Sequence, residues 1–280
     1  MRTFSSGYGA YKPNLFARAV LSVTESLPDN WLGMRVAMAF RRLVMMDLRD
    51  DRPLDVVRWG LRLRLYPCRN GCEKMLLFTP QMYERRELAA LSRAIQRAGR
   101  PFVFVDIGAN VGLFSFFVAA HAGRDATILA IEPDPENVRR FRFNCAANPQ
   151  LRIRLLQIAL GASFGAVEVV PDLRDRGGTR TAAAPGGAAG AMLAECAPLL
   201  QTLIEADIDR IDALKIDVEG SEASILVPFF RDAGEPLLPL LLIIEDGDWR
   251  NDLMETLIRR GYRIADRTRL NLIMTREPQA

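Results

Sequence analysis

Lysine is nearly missing from this 280-residue chain: apart from Lys12, Lys74 and Lys215, every basic side chain is arginine. Histidine occurs once, at His121, and cysteine four times, at positions 68, 72, 145 and 196. That set matches no zinc-ligand spacing. A Cys–His nucleophile pair is not expected either, because His121 falls in a helical stretch behind a strand. Reduced thiols in a cytoplasmic protein are the expectation. The net charge is only +3 and no dense basic run occurs, so no nucleic-acid partner is expected. The first 20 residues lack a basic start, an apolar core and a small-residue cleavage site, so no secretory leader is expected.

A membrane-spanning run is also missing. The most apolar early stretch, Trp31–Leu48, is broken by Arg35, Arg41 and Arg42, short of the ~20 apolar residues that a span needs. It reads as an amphipathic helix that packs against the main domain rather than lying on a membrane surface.

What is present is a core. Apolar residues make up 49% of the chain, which allows a folded α/β protein. Two textures divide it at about residue 98. Residues 1–98 read as an N-terminal extension of a helix, a β-hairpin and a helix. In the hairpin, Leu61, Leu63 and Leu65 alternate on one face, and Met75–Phe78 is a candidate second strand. Glu84–Ala98 is a helix stopped by Gly99.

Residues 99–280 alternate strand and helix. Phe102–Asp106 is an apolar run suited to a strand buried on both faces, and Gly112–Ala122 is helical. Strand Thr127–Ile131, helix Pro135–Ala147 and strand Arg152–Leu160 follow. Ala166–Val170 and Ala191–Ala197 are expected to pair as an inserted hairpin. Between them Arg174–Gly190, rich in Gly and Ala, reads as a mobile loop able to act as a lid. Strand Ala213–Asp217, helix Glu222–Phe230, strand Leu238–Glu245 and helix Asp248–Arg260 continue the alternation. Tyr262–Arg267 and Leu270–Thr275 are too close in sequence for a crossover helix and must run antiparallel. The expected fold is a doubly wound, Rossmann-like sheet, mostly parallel, closed by an antiparallel hairpin.

The chemistry concentrates at strand ends. Asp106-Ile107-Gly108-Ala109-Asn110-Val111-Gly112 follows the first parallel strand and opens a helix. Dinucleotide folds use G-x-G-x-x-G there. Here the glycines stand at 108 and 112 and the middle one is missing. Gly108 permits a tight turn close to a ligand, and Asn110 can cap the helix or bond the ligand. The Asp106 carboxylate disfavours a pyrophosphate but suits S-adenosylmethionine, which carries a sulfonium and an amino group. Glu132-Pro133 ends the next strand, 24 residues beyond Gly108, where a carboxylate can accept from ribose hydroxyls. Gln157 and Ala159, at the end of the third strand, are candidates for the adenine.

A second motif runs from Lys215 through Asp217 and Glu219 to Glu222. Its alternating charges suit the open end of a strand, facing a site. Glu245 and Asp246 end the neighbouring strand. These carboxylates allow two kinds of chemistry. One can take a proton from an acceptor hydroxyl, or several together can hold Mg²⁺. Lys215, Asp217, Glu219 and Glu245 are therefore the candidate catalytic residues, with the metal question open.

The stretches VDIGANVGLFS (105–115), AIEPDPENVRRFRFN (130–144), QIALG (157–161), IDALKIDVEGSE (211–222) and LLIIED (241–246) resemble the FkbM-like family of methyltransferases. Trp59–Leu63 and Asn70–Pro80 also look like the leader of its bacterial members. The resemblance implies a class I methyltransferase fold and O-methylation of a hydroxyl on a sugar, glycan, lipid-linked or natural-product acceptor. It places S-adenosylmethionine at Asp106, Gly108, Asn110, Glu132 and Asp217, with Glu219 close to the acceptor. It offers nothing for residues 1–55. Two alternatives remain: a non-catalytic S-adenosylmethionine-binding partner protein, and a nicotinamide-dependent oxidoreductase, which the missing glycine and the closing hairpin both disfavour.

Overall fold

The computed structural model describes residues 6–48, 52–172, 178, 180–182, 191–247 and 250–277. The chain forms two compact units.

The first comprises residues 1–85 with 139–149 and 173–177. It contains α1 (Leu15–Glu25), α2 (Trp31–Asp47), the hairpin β1 (Leu54–Arg58) and β2 (Leu61–Leu65), and α3 (Gly71–Phe78). Asn14 and Asn30 cap α1 and α2 by accepting from the amides of Ala17 and Gly33. The hairpin partner of Leu61–Leu65 is Leu54–Arg58, not Met75–Phe78, which lies in α3. A short apolar run does not distinguish strand from helix. The deciding residue is Asn70, whose side chain accepts from the Glu73 amide and starts the helix.

Leu61, Leu63 and Leu65 share the expected buried face. Two asparagines serve the open edge of β2. Asn144 accepts from the Arg64 amide at 2.7 Å and Asn148 from the Arg62 amide at 2.9 Å, so side chains stand in for a third strand. Two buried ion pairs, Arg64–Asp55 at 2.7 Å and Arg140–Glu73 at 2.8 Å, complete the polar interior.

The second unit holds residues 86–138, 150–172 and 178–280. It begins with α4 (Arg85–Arg97) and continues β3 (Val103–Ile107), α5 (Leu113–His121), β4 (Thr127–Ile131), the start of α6 (Pro135–Ala146) and β5 (Ile153–Leu156). After an inserted segment come α7 (Leu199–Glu205), β10 (Ala213–Ile216), α8 (Glu222–Asp232), β11 (Leu241–Glu245), α9 (Arg250–Arg259), β12 (Arg263–Arg267) and β13 (Asn271–Thr275). The insert supplies β6 (Ala159–Leu160), β7 (Gly165–Val170), β8 (Arg180–Ala182) and β9 (Met192–Ala197).

The main sheet has seven strands in the order β12-β13-β11-β10-β3-β4-β5. Strands β3, β4, β5, β10 and β11 are parallel, and β13 is antiparallel to both β11 and β12. This differs from the dinucleotide order in placing the last strand, reversed, inside the sheet edge. The closing hairpin is thus antiparallel, as its short turn requires. The core lies on both faces: Val105, Leu129, Leu214 and Leu242 are buried on one side of the sheet with Phe230 of α8, and Phe104, Ile128 and Ile243 are buried on the other.

The insert pairs β7 with β9 antiparallel, as the sequence suggests. The expected single strand Arg152–Leu160 is two: β5 stays in the main sheet and β6 pairs with β9 in a separate four-stranded sheet. The chain leaves the main sheet after Leu156, whose carbonyl accepts from the Glu132 amide. Of the expected lid, Gly178 and β8 are described; the rest of residues 174–190 lies outside the described residues. Helices α1 and α7 carried no clear signal in the sequence and are additions.

Candidate functional site

Strand β3 lies between β4 and β10, so the connections leave it toward opposite sides. Such a switch point opens a crevice at the carboxyl ends of the strands. The motifs read from the sequence lie there.

The turn after β3 is built on unusual backbone. Gly108, Asn110 and Gly112 have φ of 66°, 53° and 85°, the left-handed region that glycine enters without strain and asparagine tolerates. Gly108 is required for space as well. A Cβ there would stand 1.8 Å from the Asp217 carbonyl oxygen. The glycine turn and the loop after β10 therefore touch backbone to backbone. The N-cap of α5 is Gly112 rather than Asn110, with no side-chain cap bond. The backbone amide of Asn110 donates to Glu132 Oε2 at 2.7 Å. Ala109 donates its amide to the Ile131 carbonyl at 3.0 Å, tying the turn to the end of β4.

Asp106 is fully buried. Its Oδ2 accepts from the Ser115 amide at 3.1 Å and the Ser115 hydroxyl at 2.6 Å. Its Oδ1 has no hydrogen-bond partner among the described residues; the Lys215 ammonium stands 4.0 Å away. Burial raises the Asp106 pKa, and Lys215 and Ser115 oppose that shift. Ser115 falls in the glycine-turn motif, yet sequence reasoning assigned it no role. Its spacing of nine residues from Asp106, across a turn, carries no local signal.

Glu132 is buried. Oε1 accepts from the Asp134 amide at 2.9 Å and from Asn137 at 3.3 Å, while Oε2 takes the Asn110 amide. Burial nevertheless pushes its pKa up to about 7. Asp134 starts α6 by accepting from the Glu136 amide at 2.7 Å, with Pro135 in the first turn, where its missing N–H costs nothing. Pro133 is half-buried between these acids. Gln157 is exposed just after β5, and Ala159 is buried in β6.

Lys215 is buried within β10. Its ammonium donates to the Gly108 carbonyl at 2.9 Å and lies 3.5 Å from Asp217 Oδ2. It joins three parts of the site: the glycine turn, Asp106 and Asp217. Asp217 and Glu219 lie beyond the end of β10, half-exposed, as charges at an open strand end should be. Glu219 has φ 57°. One carboxylate oxygen each from Asp217, Glu219 and Glu245 lies within 4.8 Å of the others. This convergence, expected from parallel neighbours, is met by the register of β10 and β11. Glu222, in the first turn of α8, is fully buried; its Oε1 accepts from the amides of Val218 and Gly220 at 3.0 and 3.4 Å and so holds the loop. The sequence placed it only as a favourable helix start. Asp246 is paired with Arg267 at 2.7 Å.

Glu245 is half-buried. Burial, then the nearby Asp217, Glu219 and Glu222 carboxylates, push its pKa up to about 7, with Lys215 opposing. A carboxylate with that pKa can take and release a proton near neutrality. His121 is the exposed last residue of α5, against Phe117, away from these groups in role.

The chain belongs to the methyltransferase FkbM domain family, whose model matches residues 106–264, more than half of the sequence. S-adenosylmethionine is the cofactor of this methyltransferase domain. Among curated proteins the chain is similar to methyltransferase sdnD of Sordaria araneosa, 32% identical over 155 residues, which cover 45% of this chain and 59% of that protein. The match thus spans less than two thirds of that relative. Similar solved structures include the METTL16 methyltransferase domain (15% identity, 99% of this chain and 98% of that one, TM-score 0.49). Another is a SAM-dependent methyltransferase from Agrobacterium tumefaciens (14% identity, 81% and 70%, TM-score 0.44).

The residues present fit the cofactor. Asp106 offers a buried acceptor atom with no hydrogen-bond partner among the described residues, and S-adenosylmethionine carries cationic groups that such an acceptor suits. Among the described residues no helix is long and apolar enough to cross a membrane.

Proposed function

We propose that this chain is an O-methyltransferase acting on a hydroxyl of a sugar, glycan, lipid-linked or natural-product acceptor, in the cytoplasm. The observation that carries the reading is Glu245. It is a carboxylate with its pKa pushed to about 7, grouped with Asp217 and Glu219 at the strand ends beside the glycine turn.

Bound S-adenosylmethionine supplies an electrophilic methyl group. The chain's own residues do the rest. Asp106, Gly108, Ala109, Asn110 and Gly112 form the cradle for the donor, Glu132 and Pro133 take the ribose end, and Gln157 and Ala159 lie on the adenine side. Asp217 and Lys215 fix the loop that meets the cradle. Glu245, aided by Glu219, receives the proton that the acceptor hydroxyl gives up as its oxygen gains a methyl group. Alignment of acceptor and donor supplies most of the rate.

The test is titration calorimetry with S-adenosylmethionine and with NAD⁺, followed by an acceptor screen that reads S-adenosylhomocysteine release. Donor binding with NAD⁺ silent, and turnover on a hydroxyl acceptor that is lost in Glu245→Gln, is the expected result. NAD⁺ binding, or methylation confined to nitrogen or carbon acceptors, overturns the reading.

A further inference from the structure

Helix α2 is amphipathic in an inverted sense. The residues it buries are small: Gly33, Ala37 and Val44 face inward, and α2 packs on α1. The residues it exposes are large: Trp31 at 71%, Leu32 at 61%, Met38 at 39%, Leu43 at 50% and Met46 at 67%. At 100° per residue these fall, with Ala39, on one arc of about 140°. Burial of big apolar side chains is what folding ordinarily gains from a helix. Here they remain in water. Leu15, Phe16 and Val23 of α1 are exposed as well. Together, α1 and α2 hold eight of the fifteen large apolar side chains that are exposed among the described residues. Clustering of this kind marks an interaction surface.

The same arc of α2 carries two other exposed residues, Arg35 and Arg42. Arg35 lies 4.9 Å over the Trp31 ring. No acid occurs on this exposed arc among its described residues, and the Trp31 indole N–H is its one neutral hydrogen-bonding group there. These features select the occupant. A second copy seated on the arc would set arginine against arginine. A specific protein interface uses about one directional hydrogen bond per 100–200 Å², and the described residues of the arc have only two arginines and one indole N–H to supply them. An anionic bilayer asks for what is present: apolar bulk for the acyl boundary, an indole for the interface, and cations with long stems for the headgroups.

We propose that the exposed face of α2 is a docking surface for an anionic lipid bilayer, with the helix lying in the interface plane. The inference is independent of the methyl-transfer reading.

The test is cosedimentation of the full chain with phosphatidylglycerol–phosphatidylcholine vesicles, with pure phosphatidylcholine as the neutral control. The chain should sediment with the anionic vesicles and be released by salt. Arg35→Glu with Arg42→Glu should weaken binding by about thirtyfold or more, from the loss of two surface cations. Leu32→Asp with Leu43→Asp should abolish it. Both variants change exposed positions and should keep their circular dichroism. The unaltered protein gives a second reading. The emission lost in Trp31→Phe should shift to the blue on anionic vesicles. No sedimentation with anionic vesicles, sedimentation that both double variants leave unchanged, or no shift of the Trp31 emission overturns the proposal. So does a dimer in solution that both variants dissociate, which would give the face to a second copy.

Discussion

Lys215 and Asp106 are register partners on the adjacent parallel strands β10 and β3, and their charged ends approach to 4.0 Å inside the sheet. A lysine here is an outlier in a chain with three lysines. It does what arginine does less well. Its compact ammonium reaches Gly108 O, Asp106 and Asp217 from one position, where a planar guanidinium needs more room.

Lys215→Met should therefore destabilise the fold and the site together. It leaves Asp106 buried without its cation and the Gly108 carbonyl without its donor. Removing one partner of a buried pair costs about 3–5 kcal/mol. Urea unfolding and calorimetry with S-adenosylmethionine check this. A variant with parental stability and parental donor affinity would remove Lys215 from the site.

Gly108→Ala should fail for two reasons. The added Cβ meets the Asp217 carbonyl at 1.8 Å, and φ is 66°. Backbone cannot yield as a flexible side chain does, so the turn must open. Loss of donor binding is expected, with a destabilisation of about 2 kcal/mol or more. Gly123→Ala, also at positive φ but with open space around the Cβ, is the control. It should bind donor normally. Equal behaviour of the two variants would show that steric closure of the turn on Asp217 is unimportant.

Asp106→Ala should abolish binding of S-adenosylmethionine, whereas Glu219→Ala should spare binding and lose turnover. Calorimetry on both separates the two roles. Loss of donor binding in Glu219→Ala would sink the division of labour between the two loops.

The pH dependence of turnover should report Glu245. A base with pKa about 7 is active once deprotonated, so kcat should rise through pH 7 and level above it. Glu245→Gln should lower kcat by about 10²–10⁴-fold, erase that rise and leave donor affinity nearly unchanged. A pH profile that survives in Glu245→Gln assigns the proton to another group.

Glu132 makes a stability prediction of definite sign. Its folded pKa is raised from 4.5 to about 7 by burial. The folded state then holds a proton that the unfolded state has released between those values. The stability tied to this proton is full below pH 4.5 and is lost as pH rises through 7, on the order of 3 kcal/mol. Glu132→Gln should flatten that slope in urea unfolding at pH 5 and pH 8. Parallel slopes in parent and variant would contradict it.

Much of the second unit is legible in its sequence because periodicity and punctuation agree there. Thr127–Ile131 is bounded by polar turns on both sides, and the strand occupies those residues. The convergence of Asp217, Glu219 and Glu245 follows once β10 and β11 are taken as parallel neighbours. What could not be read is contact across space. Ser115 and Glu222 are ordinary helix residues until Asp106 Oδ2 and the amides of 218 and 220 are placed beside them. Met75–Phe78 is too short for apolar pattern to decide, and a single cap at Asn70 outweighs it. Arg152–Leu160 reads as continuous because leaving a sheet after Leu156 needs no special residue type.

The reversed last strand sets an order on assembly. Strand β11, which ends in Glu245, has β10 on one side and β13 on the other, with Glu245 opposite Asn271. Asn271 in turn donates to Glu87 at 3.0 Å, 184 residues earlier in the chain. One edge of β11, Leu241–Ile244, therefore stays bare until the chain through Thr275 is available to cover it. A chain cut short between residues 246 and 270 has every motif of the proposed cofactor cradle and an open, sticky flank beside its proposed base. Such truncated chains should therefore be captured by chaperones where the chain with β13 is not.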